Sequence, residues 1–183
     1  MNTVFLMISR LLYDKGYCQY VEAAKHIKRS YPEIDFLLLG DLDFEYPNHV
    51  QKDILEQDIS SGAIRYLGYN EDVRRIINMS DCIVLPSFYN EGLSRVLMEA
   101  LAMSKPIITS DIPGCKETVD DGKNGFLCKP KDSQSLIHAI EKFISLDADQ
   151  RIAFGKNGRK KAEDIFDIKH VIEAYHNITK DIL

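Results

Sequence analysis

The chain has 183 residues, of which 45% are hydrophobic, and it contains only 10 glycines and 6 prolines. This composition fits a well-packed domain and excludes a largely disordered polymer. The formal net charge is −5, so overall charge gives no case for nucleic-acid binding. A local basic cluster, KNGRKK at 156–161, is interpreted as a solvated helix face.

Targeting and redox features indicate a cytoplasmic protein. No apolar run reaches the length of a membrane span, and TVFLMIS (3–9) is too short for a signal peptide and lacks a basic segment before it. The cysteines are widely separated, with no C-x-x-C pair and no histidine at metal-ligand spacing: Cys18, Cys82, Cys115 and Cys128. Scattered cysteines of this kind fit reduced thiols in the cytoplasm.

Apolar runs of strand length alternate with helix-period segments, which is typical of βα units that wind a parallel sheet. The predicted strands are 3–9, 34–40, 63–68, 81–87, 106–111 and 125–128. The predicted helices are 17–30, 48–60, 71–79, 94–103 and 132–145, with two more between 149 and 182. Several strands are apolar on both faces, as buried parallel strands must be. The prediction is an α/β fold with a Rossmann-like parallel sheet of about six strands and helices on both faces.

The turn after the first strand carries two cations. Open parallel sheets bind ligands at the carboxyl ends of their strands, so the strand-to-helix turns are the places to look for function. SRLLYDKG (9–16) supplies Arg10 and Lys15, followed by Gly16. A guanidinium fork and a compact ammonium suit a diphosphate. A solvated surface pair is the other interpretation, and from these residues alone both stay open.

The turn after the fourth strand runs into a helix as FYNEGLSRVLMEAL (88–101), with Glu91 and Glu99 eight positions apart. Paired carboxylates suggest glycosidase-type acid/base chemistry. Helical geometry separates these two by more than two turns, so they are interpreted as two contacts along an extended ligand. The N–H groups at this helix start form a natural anion site, and Gly92 allows close approach. The alternative is a surface glutamate and an ordinary turn residue.

Several motifs in the same order identify a resemblance. PSFYNEGLSRVLMEALAMSKPIITSDIPGCKETVDDGKNGFL (86–127) resembles the donor-binding half of retaining glycosyltransferases of family 4, which have the GT-B fold. Glu91 and Glu99 match their E-x7-E signature, and Lys105-Pro106-Ile107-Ile108 matches the following P-[IV]-[IV] strand. SRLLYDKG resembles the family's G-R-L…K-G turn, with Ser9 where a glycine is usual.

The resemblance implies a role for each matching residue. Arg10 and Lys15 would grip the nucleotide diphosphate and balance the charge on the leaving group, and Glu91 would bind donor-sugar hydroxyls at the catalytic centre. Glu99 would accept hydrogen bonds from the ribose hydroxyls. The backbone amides that would hold phosphate and sugar are those of Gly92, Leu93 and Ser94. The base would be held by main-chain groups at Tyr66 and Leu67, with Asn70 and Glu71 nearby.

Asp41-Leu42-Asp43 spells D-x-D, which binds a divalent metal and the donor diphosphate in the other large glycosyltransferase fold. Here the motif follows the second predicted strand, beside a diphosphate site that already has two cations. The expectation is therefore metal-independent chemistry, with no cofactor besides the nucleotide-diphosphate sugar. The five histidines are interpreted as surface or packing residues. Cys115 is interpreted as a packing residue in preference to a reactive thiol.

The predicted organisation is a nucleotide-sugar-binding domain (1–148) with C-terminal helices (149–183) packed on it, and with the N-terminal acceptor domain absent. The expected function is donor binding, with a UDP-sugar favoured, for transfer to a glycan or lipid-linked acceptor in surface polysaccharide synthesis. The isolated domain would be inactive without the N-terminal half, and the full enzyme would associate peripherally with a membrane. The helices after 149 would cross back to the missing half.

Two alternative functions stay open at this stage. A non-catalytic nucleotide-sugar-binding module would keep the same fold and site residues. A sugar-nucleotide epimerase-like protein would need its own acid and base, and the sequence shows neither.

Overall fold

The computed structural model describes residues 3–90 and 92–180, and in it six strands form one sheet whose neighbouring strands are all parallel. The strands are β1 (Val4–Ile8), β2 (Asp35–Leu39), β3 (Arg65–Tyr66), β4 (Cys82–Leu85), β5 (Ile107–Ser110) and β6 (Gly125–Cys128). The helices are α1 (Tyr17–Ser30), α2 (Lys52–Ser60), α3 (Arg74–Met79), α4 (Arg95–Ala102), α5 (Ser133–Ile144), α6 (Ala148–Ile165) and α7 (Ile168–Lys180). The predicted fold class is confirmed.

The largest difference from the predicted elements is at α2, which begins at Lys52 and not at 48. Residues just before it are extended and pair with the turn after β1. The Val50 N–H donates to the Leu11 carbonyl at 2.9 Å, and His49 forms an antiparallel bridge with Leu12. These bonds hold the segment that follows β2 beside the turn after β1.

The strand order β3-β2-β1-β4-β5-β6 makes β1 and β4 neighbours although the chain winds outward from them in opposite directions. Right-handed crossovers in opposite directions put helices on both faces, with α1 packed on α5 and α4 packed on α6. The chain therefore leaves β1 and β4 toward opposite sides at the centre of the sheet. A crevice at this point is where sheets of this type bind ligands.

Aromatic side chains fill the core beneath α1 and α5. The Phe5 ring stacks on Phe36 with ring centres 5.1 Å apart, and it meets Phe143 edge-on at 5.6 Å. Tyr20 from α1 packs edge-on against Phe36 and is fully buried. Each such side chain stabilises the fold by roughly 1.5–3 kcal/mol through burial. The core thereby fixes β1 and β2, whose carboxyl ends carry site residues.

The helix α6 lies very close to α4. A methyl group on Gly155 would stand 2.3 Å from the Ser104 carbonyl oxygen, and one on Gly158 would stand 2.9 Å from a Leu101 methyl. Phe154 also packs against Phe126 of β6, with ring centres 5.5 Å apart. The C-terminal segment thus braces the helix that bears Glu99.

The last helix, α7, presents an apolar face to the exterior. Its exposed apolar residues recur at helical spacing: Ile168, Val171, Ile172, Tyr175 and Ile178. Within the described residues, no helix has both the length and the apolar character needed to cross a membrane.

Candidate functional site

A cleft of about 660 Å³ opens at the carboxyl ends of the central strands. Its polar lining includes Arg10, Lys15, Asn70, Glu71, Ser94 and Glu99. A second cavity of about 520 Å³ lies between α3 and α4 and shares Glu71, Val73 and Glu99 with the first. Small-molecule pockets span about 300–1,000 Å³, so the two together can take an extended ligand.

The turns after β1 and β4 are fastened to each other. Gly16 has φ +86°, and a methyl group there would stand 2.2 Å from the Pro86 carbonyl oxygen. The Asp14 carbonyl accepts the N–H groups of Phe88 and Tyr89 at 2.8 and 2.9 Å. Glycine is therefore required where the turn after β1 contacts the turn after β4. This contact fixes Lys15 at the edge of the cleft.

Both cations of the first turn line the cleft and have defined neighbours. Arg10 Nη1 donates to Asp43 Oδ2 at 2.7 Å, and its guanidinium carbon lies 5.5 Å from the centre of the Tyr46 ring. Lys15 Nζ lies 4.3 Å from the centre of the Tyr89 ring. The Arg10 side chain is 48% exposed, so its charge remains accessible to a ligand.

The amino end of α4 points into the cleft. Ser94 is the N-cap residue, and its hydroxyl caps none of the helix N–H groups that the structure describes. A helix leaves its first N–H groups without an internal acceptor, so those at Arg95 and Val96, both in the cleft lining, can meet an anion. The Ser94 N–H donates to the Gly114 carbonyl at 2.9 Å. The Ser94 amide, which was expected to hold phosphate or sugar, is therefore engaged within the fold. Leu93 and Ser94 themselves line the cleft.

Glu99 lies one helical turn beyond the amino end of α4 and borders both cavities. Its side chain is 43% exposed, and its nearest cation is Arg95, with Arg95 Nη2 at 3.9 Å from Glu99 Oε1. An exposed pair at this distance is weak. The Glu99 carboxylate can therefore accept hydrogen bonds from a ligand.

Similarity to known proteins decides the family. A family model described as "Glycosyl transferases group 1" matches residues 1–161. The chain belongs to this family.

Two relatives illustrate the similarity. The Campylobacter jejuni protein named N,N'-diacetylbacillosaminyl-diphospho-undecaprenol alpha-1,3-N-acetylgalactosaminyltransferase is 31% identical over 183 residues, covering 98% of this chain and 46% of the relative. The Escherichia coli UDP-Gal:alpha-D-GlcNAc-diphosphoundecaprenol alpha-1,3-galactosyltransferase is 29% identical over 182 residues, covering 98% and 46%. The chain spans about half the length of the curated relatives it matches.

Among solved structures, the crystal structure of Anabaena HepE in complex with UDP superposes with a TM-score of 0.86 and 26% sequence identity. The match covers 98% of this chain and 49% of HepE. The six-stranded sheet thus matches the Rossmann-like half of a GT-B fold, as the resemblance implied.

Tyr66 and Leu67, whose main-chain groups are expected to hold the nucleotide base, are not among the described residues that line the cleft. The Tyr66 hydroxyl donates to the Gly40 carbonyl at 2.8 Å, and the Leu67 N–H donates to the Leu38 carbonyl at 2.8 Å. These bonds join β3 and the residue after it to β2 and to the turn after β2. The turn that follows β3 brings Asn70 and Glu71, which were expected nearby, to the cleft lining.

Three further expectations have different outcomes. Glu91 lies outside the described residues, so its position relative to Glu99 stays a prediction. In the D-x-D motif, Asp43 pairs with Arg10 and Asp41 lines the cleft. Across residues 3–90 and 92–180, no group of three or more histidine, cysteine or carboxylate side chains could hold a metal ion.

Tyr46 and Tyr89 were missed by sequence reasoning, although both contact the predicted cations. The sequence signal for them is their position: Tyr46 follows the predicted strand 34–40 and Tyr89 follows the predicted strand 81–87, each in a strand-to-helix turn. Aromatic residues are so common in such turns that only their position in space distinguishes these two.

Proposed function

We propose that this chain is the donor-binding half of a retaining glycosyltransferase and that it binds a nucleotide-diphosphate sugar, with UDP as the favoured nucleotide. One observation carries the proposal. Arg10, Lys15, the amino end of α4 and Glu99 line a single cleft at the point where the strand order reverses. The UDP complex of HepE, which shares this fold, supports the choice of nucleotide.

In this proposal the diphosphate lies between the two cations and the amino end of α4. As the bond between the anomeric carbon and the phosphate oxygen breaks, that oxygen gains negative charge. Arg10 and Lys15 stabilise this charge electrostatically, which is the largest effect available to such a site. Two fixed cations and a helix end supply what a divalent metal would otherwise provide, so we propose that transfer is metal-independent.

The two glutamates of the E-x7-E signature have separate roles in the proposal. Glu91 binds hydroxyls of the donor sugar, an assignment that rests on the signature alone. Glu99 accepts hydrogen bonds from the ribose, which is supported by its exposed carboxylate at the border of both cavities.

Complete activity requires the other half of the protein in this proposal. The relatives named above act on diphospho-undecaprenol acceptors and are about twice as long. We therefore propose that a further N-terminal domain binds a glycan or lipid-linked acceptor in the cytoplasm, at the membrane surface. The exposed apolar face of α7 supports docking of this helix on that domain.

Isothermal titration calorimetry with UDP and GDP tests the donor site directly. Glu99→Ala should weaken UDP binding about tenfold, because a hydrogen bond to a charged group contributes about 1.5–3 kcal/mol and partial exposure favours the lower end. A UDP analogue without the ribose 2′ and 3′ hydroxyls should bind the wild-type chain and Glu99→Ala with similar affinity, weaker than that of UDP for the wild-type chain.

Glu56→Ala is the matched control. Glu56 also lies on a helix in an i,i+4 ion pair, with Lys52, and its side chain is 64% exposed. It should leave UDP affinity unchanged. The donor-site proposal fails if neither nucleotide binds, or if Glu99→Ala and Glu56→Ala behave alike.

A further inference from the structure

Each cation of the proposed diphosphate site lies over the face of a tyrosine ring. The Arg10 guanidinium carbon is 5.5 Å from the Tyr46 ring centre, and Lys15 Nζ is 4.3 Å from the Tyr89 ring centre. Both distances are within the range of an attractive cation–π contact. The two rings come from different turns, the one after β2 and the one after β4.

The two rings also contact each other and share an anchor. Their centres are 6.3 Å apart with a tilted arrangement. The Tyr46 hydroxyl is 3.5 Å from Asp14 Oδ2, and the Asp14 carbonyl accepts the Tyr89 N–H at 2.9 Å. Three separate turns therefore converge on one aromatic pair, which we define as Tyr46 and Tyr89.

We propose that this aromatic pair positions Arg10 and Lys15 for the diphosphate before the donor binds, so that Tyr46 and Tyr89 are positioning residues of the donor site. The inference rests on the proposed function. Long cationic side chains lose up to about 2 kcal/mol of rotamer entropy each when a ligand orders them. A ring beneath each cation orders that side chain before the ligand arrives and so reduces this cost.

The ring contact leaves N–H donors of Arg10 available to a ligand. A ring contacts the flat face of a guanidinium, whereas the N–H groups point outward from its edge. Arg10 carries five such donors, so the single bond from Nη1 to Asp43 at 2.7 Å leaves others for a phosphate. Lys15 is the more compact charge, and its ammonium lies over the ring while bordering the cleft.

The test compares substitutions that remove the ring with substitutions that keep it. In UDP titrations, Tyr46→Leu and Tyr89→Leu should each weaken binding about two- to fivefold, and the double variant about five- to thirtyfold, because UDP must then order one or both cations itself. Tyr46→Phe and Tyr89→Phe keep the ring and should bind UDP within twofold of the wild-type chain. Uridine has no phosphate, so its binding by ligand-observed NMR should be the same for every variant.

A second series holds the side-chain shape constant in case the leucine variants fold poorly. Fluorinated phenylalanines at position 89 weaken the ring quadrupole progressively, so UDP affinity should fall in step with fluorination. Unchanged UDP binding across the leucine and fluorinated series would overturn the inference. Equal losses for UDP and uridine, or equal losses in the phenylalanine and leucine variants, would overturn it as well.

The wild-type chain separates this inference from the function on which it rests. Normal UDP binding by the wild-type chain with unaffected ring variants would overturn only the positioning role. No UDP binding by the wild-type chain would overturn both proposals.

Discussion

Replacing Gly16 by alanine should destabilise the fold and the donor site together. Gly16 has φ +86°, and the added methyl group would stand 2.2 Å from the Pro86 carbonyl oxygen and 2.6 Å from its carbon. The substitution therefore combines an unfavourable backbone conformation with a clash against rigid main chain. Lys15 precedes Gly16 directly, so any shift that relieves the clash also moves this cation.

The magnitude follows from two separate contributions. A left-handed conformation costs a non-glycine residue about 1–2 kcal/mol. Inserting a methyl group into a packed contact costs a further 1–3 kcal/mol or so. The free energy of unfolding should therefore fall by about 2–5 kcal/mol, a large fraction of the roughly 5–15 kcal/mol of a typical domain.

Urea unfolding and UDP titration measure the two consequences. Gly62→Ala is a close control, because Gly62 has φ +74° but a methyl group there would meet no atom within 4 Å. It should lose only the backbone contribution, about 1–2 kcal/mol, and should keep normal UDP affinity. The reasoning is refuted if Gly16→Ala is no less stable than Gly62→Ala, or if it binds UDP as tightly.

Two further substitutions test the anchoring of α6 by Arg151 and a buried thiol. Arg151 donates to Thr3 Oγ1 and to the carbonyls of Ile144 and Leu146 at 2.9–3.1 Å, so Arg151→Met should lower the free energy of unfolding in urea by about 2–4 kcal/mol. A loss below about 0.5 kcal/mol would contradict this structural role. Burial raises the pKa of the Cys128 thiol from 9.0 to about 11. As the pH rises, the unfolded chain therefore loses this proton before the folded chain does. The free energy of unfolding should fall by roughly 2 kcal/mol between pH 9 and pH 11. Cys128→Ala should flatten that pH dependence, and equal slopes for the two proteins in urea titrations would contradict it.

Much of the fold was predictable from the sequence because burial patterns are local. The strand DFLLL and the helix SQSLIHAIEKFI show their type within a few residues, and both lie where the pattern predicts. Arg10, Lys15 and Glu99 could also be selected in advance, because each lies in or just after a strand-to-helix turn. Their convergence on one cleft follows from all carboxyl strand ends meeting at the same edge of a parallel sheet.

The tertiary structure alone decided which groups meet across that edge. Hydrogen bonds from residues 48–50 to the first turn bring Tyr46 and Asp43 against Arg10, and local patterns do not report such long-range pairing. The Ser94 N–H donates to the carbonyl of Gly114, a residue that follows α4 and β5 in the chain. The sequence by itself thus determined the elements and the charged residues of the site. Packing between distant turns determined their partners, because those contacts depend on the three-dimensional order of strands.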